Sequence, residues 1–285
     1  MQGNEKFLGR VASYAHKHAL WREGERILAA VSGGPDSLAL LLALKLLAVK
    51  EKINIGCCCV NHHLRAAAGK EAEFVESVCR EWNIPFILKE VDVQSAVRNG
   101  GSIETAARDL RYKALREAAR GGGYAKIAVA HHGDDQAETV LYHLLRGSGV
   151  TGLSGMKPIN GDIIRPFLCV SKNEIKDFLK DFSYVPCHDE SNDVEDAVRN
   201  RIRLSLVPEL ISYNPRVTES LRRTADIFRE EDLFMEEKAD VFISSCVEHD
   251  NDKCVFFIAY FLVLHIALQR RVIRKICCMV AGRIP

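Results

Sequence analysis

Ser32-Gly33-Gly34-Pro35-Asp36-Ser37 stands between an apolar run and a long leucine-rich run, and its residue types suit a phosphate group. Paired glycines admit positive φ and let the backbone approach an anion with no Cβ in the way. The unpaired N–H groups of the helix that follows point at the same place. Ser32 and Ser37 add hydroxyl donors. No lysine follows the glycines at the spacing of a Walker loop, so the expected anion is a pyrophosphate or an α-phosphate held by backbone and hydroxyls. The same residues would also make a tight strand-to-helix turn with no ligand.

A second cluster, His131-His132-Gly133-Asp134-Asp135-Gln136-Ala137-Glu138-Thr139, follows a buried-strand pattern and opens a helix. Asp134 and Glu138 are four apart and share a face at its N-terminal end, where two carboxylates can hold an ammonium group or Mg²⁺. A helix N-terminus also favours acidic side chains, so a structural role for Asp134 or Asp135 stays open. Gly147, Gly149, Gly152 and Gly155 come next, as a segment over the site or as a plain loop. Ser102 to Tyr112 places Arg108 and Arg111 one turn apart, with Glu104 set to make an ordinary surface ion pair with Arg108. Asn61-His62-His63-Leu64-Arg65 follows another strand pattern, where an adenine or its ribose could lie. The histidine pair alone is weak evidence for a metal.

The elements that must position these groups alternate along the chain. Strand-like runs at Ile27–Val31, Ile53–Val60, Phe86–Val91 and Lys126–Ala130 are interleaved with helix-like runs at Asp36–Val49, Gly69–Trp82, Ser102–Arg120 and Asp134–Arg146. This is the pattern of a parallel α/β sheet with crossover helices. Ile163–Phe167 is a fifth strand candidate, and Ser171 with Glu174 forms a capping box for a helix to Phe182. Ligands of such sheets lie beyond the carboxyl ends of the strands, so Ser32–Ser37, Asn61–Arg65 and His131–Asp135 should converge. From Pro186 a polar loop (His188 to Asp193) leads into a remainder that reads as all-α, which gives domains of 1–185 and 186–285. Val255–Leu268 is too short to span a bilayer, is broken by His265, and reads as a buried helix. Any exposed face of it would suit a second copy in a homodimer or a further domain. The stop at Pro285, soon after a basic helix, reads as the end of a truncated chain.

With 285 residues, 47% hydrophobic and 27% charged, the chain can bury a large core and is neither disordered nor collagen-like. The net charge of +1 says little about a polyanionic partner, but its distribution is uneven. Seven arginines against three acids lie between Ala197 and Arg229, and Arg270, Arg271, Arg274, Lys275 and Arg283 form a second basic cluster. Such patches bind nucleic acid or are solvated helix faces. None of the ten cysteines forms a Cys-x-x-Cys pair, which points to buried free thiols in a reducing cytoplasm. Met1–Arg10 is polar and mixed in charge, unlike a signal peptide.

Together the motifs resemble the bacterial tRNA(Ile)-lysidine synthases of the PP-loop ATP pyrophosphatase superfamily. The resemblance runs through Ser32–Ser37, Val60–Arg65, Ser102–Tyr112, His131–Thr139, Arg146–Gly155, Arg165-Pro166-Phe167 and Asp189–Pro208 with Arg199-Asn200-x-x-Arg203. It ends on Ala267-Leu268-Gln269-Arg270-Arg271, and His63 departs from it where glycine is common. The resemblance implies a PP-loop (adenine nucleotide alpha hydrolase-like) domain followed by a smaller all-α domain. It also implies a cytoplasmic ligase: ATP adenylates the wobble cytidine of tRNA(Ile) with a CAU anticodon, and the ε-amine of L-lysine displaces AMP. Ser32, Gly33, Gly34, Pro35, Asp36 and Ser37 would then hold the ATP phosphates. Asp36 would act through Mg²⁺, since a bare carboxylate repels phosphate. Asp134 and Glu138 would bind the lysine ammonium groups and help take a proton, and Arg111 and Arg203 would stabilise developing negative charge. The basic second domain would grip tRNA through its phosphates. Two rival readings are a PP-loop tRNA thiolase, which needs paired cysteines that this sequence lacks, and a non-catalytic RNA-binding relative, which would not need the intact polar motifs.

Overall fold

A computed structural model describes residues 2–61, 68–93, 103–184, 186, 197–250 and 253–281. The chain divides into two compact units, Met1–Tyr142 with Met156–Leu221, and His143–Gly155 with Arg222–Pro285. Residues 197–221 therefore group with the first unit, although the composition change at Pro186 suggests a boundary there. The cause is visible in Arg203, which is ion-paired to two carboxylates of that unit.

The first unit is built on a six-stranded sheet in the order β3-β2-β1-β4-β6-β5. Its strands are β1 (Arg26–Ala30), β2 (Asn54–Asn61), β3 (Phe86–Glu90), β4 (Lys126–Ala128), β5 (Ile159–Asn160) and β6 (Ile163–Ile164). All neighbours pair in parallel except β5 with β6. Its helices are α1 (Gln2–Lys17), α2 (Pro35–Glu51), α3 (Ala68–Glu81), α4 (Ile103–Gly122), α5 (Gly133–Leu145, whose last three residues belong to the second unit) and α7 (Lys172–Leu179); α6 (Val150–Leu153) belongs to the second unit. Alternate residues of β1 serve opposite faces. Ile27, Ala29 and Val31 pack with Val11, Leu38, Leu42 and Val75, whereas Leu28 and Ala30 pack with Leu115 and Ala118 of α4. Both faces are thus covered, which is why β1 and β2 read as continuous apolar runs. Burial leaves the Cys57 thiol well above its ordinary value and pushes Cys58 up to about 12, so both behave as inert core residues.

The capping box at Ser171 and Glu174 is formed as expected. The strand expected over Ile163–Phe167 stops at Ile164, because Pro166 opens a short 3₁₀ turn, Pro166–Cys169. Beyond residue 197 come α8 (Ala197–Arg201), a π-helical turn (Ile202–Leu206), α9 (Val207–Tyr213) and α10 (Val217–Cys246).

The second unit adds to its helices a hairpin of β7 (Val247–Asp250) and β8 (Lys253–Phe256), followed by α11 (Ile258–Leu262) and α12 (Ile266–Ala281). The Val255–Leu268 run is therefore not one buried helix. It is a strand and two helical pieces whose Val255, Phe257, Leu262 and Val263 are exposed. His265 breaks it, its Nδ1 accepting from the Ala267 N–H at 3.2 Å as a cap for α12. The Gln269 amide donates to the carbonyl of Leu264 at 2.9 Å and lies 3.3 Å from that of Phe261, which also accepts from the Leu264 N–H at 3.1 Å, so the side chain ties α12 to the chain leaving α11. Among the described residues no helix is long and apolar enough to cross a membrane.

Candidate active site

At the exit of β1 the chain turns through Ser32, Gly33 and Gly34 into α2. Gly33 holds φ at +91°, a conformation that L side chains resist. Gly34 caps the helix and Pro35 occupies its first turn, where a missing N–H costs nothing. The first helical bond runs from Leu38 N–H to the Gly34 carbonyl at 3.0 Å, so the N–H groups of Asp36 and Ser37 precede the helical ladder. Ser37 Oγ donates to the Gly34 carbonyl at 3.0 Å and accepts from Ser32 N–H at 3.1 Å. Ser37 is thus a brace that fixes the turn, while Ser32 lies exposed at its rim. The result is a preformed anion cradle at a helix N-terminus.

Beside it, β4 runs into α5 through His131 and His132. His132 is buried and surrounded by acids: its Nε2 lies 3.7 Å from Asp36 and 3.6 Å from Asp135, and its Nδ1 3.6 Å from Asp134. Burial disfavours its charged form, but the nearby carboxylates of Asp36, Asp135 and Asp134 outweigh this and lift it above its ordinary value. Burial likewise pushes Asp36 up, yet His132, Lys172 and Arg203 hold it below the usual carboxylate value. His131 behaves oppositely. Burial and the charges of Arg165, Arg111 and Arg108 hold it far below an ordinary imidazole.

Asp134 and Glu138 are not an empty pair of carboxylates. Asp134 Oδ2 accepts from the Lys172 N–H at 2.7 Å, tying α5 to the start of α7. Both oxygens of Glu138 are taken by Arg203, through Nε at 2.8 Å and an Nη at 3.0 Å, and the same guanidinium reaches Asp135 at 3.3 Å. Burial raises the Glu138 carboxyl, Arg203 only partly offsets this, and Asp135 adds to the rise. Arg203 sits in the π-helical turn, a deformation common at functional positions. Arg111 enters through its charge on His131.

Ser32–Ser37, Asp134, Glu138, Arg203 and Arg111 therefore all lie in the first unit, with Asp36, His132 and Asp135 joining the cradle to the acidic cluster. The expectations for His62, His63, Leu64, Arg65, Ser102 and residues 188–193 fall outside the described residues, as does the side chain of Glu104. Sequence reasoning misses two features of the site. One is the pairing of Arg203 with Glu138 across 65 positions, and the other is the placement of a buried His132 among three acids. The His-His-x-Asp-Asp string holds the second signal, since acids flanking an imidazole favour its charged form.

Asp36 Oδ1 is buried without a hydrogen-bond partner. A lone carboxylate oxygen beside a phosphate cradle fits Mg²⁺, which commonly takes one or two carboxylates and completes its shell with phosphate oxygens.

The fold and cradle define a PP-loop nucleotide-binding protein, and the PP-loop domain family matches residues 5–210. In solved structures the chain is similar to the U34-tRNA thiolase NcsA from Methanococcus maripaludis with its 4Fe-4S cluster. The TM-score is 0.64 at 17% identity, covering 79% of this chain and 80% of that one, a likeness of fold. Among curated proteins it is 36% identical over 276 residues to the tRNA(Ile)-lysidine synthase of Caldanaerobacter subterraneus subsp. tengcongensis, covering 96% of this chain and 59% of that protein. It is 37% identical over 233 residues to the tRNA(Ile)-lysidine synthase of Petrotoga mobilis, covering 80% of this chain and 74% of that protein. The chain belongs to the tRNA(Ile)-lysidine synthase family of PP-loop proteins. It spans about 60% of the length of the first curated relatives that it matches.

Proposed function

We propose that this chain is an ATP-dependent carbon–nitrogen ligase that joins L-lysine to the wobble cytidine of tRNA(Ile) with a CAU anticodon, in the cytoplasm. The observation that carries this reading is the phosphate cradle joined through His132 to an acidic cluster on the next strand exit. An acyl-like activation by ATP and a cationic amino acid need those two kinds of surface side by side.

Gly33 and Gly34, with the N–H groups of Asp36 and Ser37, would hold the triphosphate. Asp36 would hold Mg²⁺ through its free oxygen, and the ion supplies charge neutralisation on the phosphates. The base oxygen at C2 attacks the α-phosphorus and pyrophosphate leaves, giving an adenylated cytidine. The lysine ε-amine then attacks C2, loses a proton and expels AMP, so the base oxygen departs on the nucleotide. Arg111 and Arg203 would balance the negative charge that builds on oxygen in both steps. Asp134 would receive a substrate ammonium through the oxygen that Lys172 does not use. Glu138 would set the Arg203 guanidinium and add its negative field to the same pocket. His132, whose charged form the three carboxylates favour, would lessen their mutual repulsion before lysine arrives.

Labelled lysine should enter a tRNA(Ile) transcript bearing CAU only when ATP is present. Asp134→Asn should abolish that incorporation while ATP still binds. Full incorporation by the variant would remove Asp134 from the site, and a dependence on a sulfur donor in place of lysine would replace the reading with thiolation.

A further inference from the structure

The outer side of α4 borders a cavity of about 480 Å³ that the proposed chemistry leaves unused. Arg108, Lys113, Arg116 and Arg120 line it from the helix, and Arg165 lines it from the end of β6. Arg116 is paired with Asp162 at 3.0 Å. Among the described residues no ion pair to a carboxylate is formed by Arg108, Lys113, Arg120 or Arg165, and Asp109 is the one acid on the wall.

Arg165 is the most telling member. It is only 7% exposed, donates one Nη to the Lys157 carbonyl at 2.8 Å, and leaves its Nε without a partner. Besides Lys157, the Tyr112 hydroxyl is its hydrogen-bond partner, and a guanidinium removed from water with its Nε unused and Arg108 beside it is a costly arrangement unless an anion completes it. The ring of Tyr112 lies in the same wall but is approached by the guanidinium of Arg108 at 5.2 Å and that of Arg116 at 5.9 Å. Its faces are therefore turned to cations rather than to a base, and the cavity selects for charge.

The spacing selects for a polymer. Arg108, Arg116 and Arg120 follow one another along α4 at intervals of eight and four residues, with Tyr112 between the first two, and the stripe from Arg108 to Arg120 is roughly 18 Å long. One phosphate group cannot span that length, whereas a strand of a nucleic-acid duplex carries a charge every ~3.4 Å along the helix axis. The inner end also leads to the site, since Arg108 and Arg165 both act on His131, the neighbour of His132. We infer that this α4–β6 cavity is a track for consecutive phosphodiesters of the RNA substrate, holding the strand beside the base being modified. The inference rests on the tRNA reading above for the identity of that strand.

The test uses the 285-residue chain and a fluorescent RNA hairpin carrying the CAU anticodon loop, titrated at several salt concentrations. Lys113 and Arg120 are exposed, so Lys113→Ala/Arg120→Ala removes two cations without opening the core. The double variant should bind about tenfold more weakly and lower the slope of log K against log salt by about 1.5, two phosphate contacts' worth. Lys113→Arg/Arg120→Lys should restore both. Arg80→Ala/Lys180→Ala removes the same net charge elsewhere on the surface and should change neither.

Equal losses in the two alanine pairs, or an unchanged slope in the first, would overturn the track. So would a result in which inorganic pyrophosphate binding is lost and hairpin binding is kept, which makes the cavity a small-anion site. If the parent binds the hairpin through these cations yet incorporates no lysine, the lysidine reading falls and the track stands. Lysine incorporation with an unchanged slope in the double variant keeps the lysidine reading and removes the track.

Discussion

Two basic helices in this protein carry charge to opposite ends. On α12, Arg271 pairs with Asp232 at 2.6 Å and Glu236 at 2.5 Å, Arg274 with Glu236 at 3.1 Å, and Lys275 with Glu236 at 2.7 Å and Asp240 at 2.6 Å. In the sequence these three residues stand in an acid-free patch suited to nucleic acid, yet α10 supplies carboxylates to Arg271, Arg274 and Lys275. On α4 the relation is inverted. Arg108 and Arg120 look like ordinary surface residues, but no described carboxylate takes them. What matters for a polyanion is charge left over after folding, which a linear count does not give.

The largest effect should come from breaking the matched helix. Arg271 and Asp232 expose only 10% and 7% of their side chains, so Arg271→Ala strands a buried carboxylate. Thr151 Oγ1 still donates to Asp232 at 2.7 Å, which softens the loss. Chemical denaturation should show about 3 kcal/mol of destabilisation. At a temperature where the variant stays folded, its RNA salt slope should match the parent's. A slope change as large as that of the α4 pair would erase the distinction between the helices.

The cradle offers the next effect. Ala at Gly33 meets only ordinary contacts, the nearest being Glu71 Cβ at 3.5 Å, so the φ of +91° alone sets the cost. Gly33→Ala should lose about 1–2 kcal/mol of stability and weaken ATP binding by calorimetry more than it weakens hairpin binding. Equal losses in both ligands would mean that the turn supports the whole fold rather than the phosphates.

These contrasts also separate what is legible in the sequence from what is not. The cradle is legible because its determinants are local: a glycine pair, a proline at the first helical turn and a hydroxyl three residues past Gly34. The alternation of strands and helices, the capping box at Ser171 and the free buried thiols Cys57, Cys58 and Cys59 follow from equally short-range patterns. Arg203 with Glu138, and α12 with α10, are joined across 65 and about 39 positions by geometry that no window of sequence contains. Val255–Leu268 misleads for a different reason. A continuous apolar run has no period by which to tell strand from helix, and the breaking role of His265 depends on a hydrogen bond to Ala267.

The smallest effect separates neighbours in the chain. His132 is held above 6.5 by three carboxylates, and His131 well below 6.5 by burial and three arginines. His132 therefore adds stability that is complete below pH 6.5 and fades as pH rises through its raised value. His131 adds stability that is complete above pH 6.5 and falls as acid protonates the unfolded chain but not the native one. NMR titration of the two imidazoles should show one midpoint on each side of 6.5. Coincident midpoints would remove the proposed charge partition between the acidic cluster and the basic track.

The most direct measurement is AMP release from ATP in the presence of tRNA(Ile) bearing CAU, with lysine and then without it. A lysidine-forming ligase should release pyrophosphate in both reactions and AMP only when lysine is supplied. AMP at the same rate without lysine would contradict that assignment.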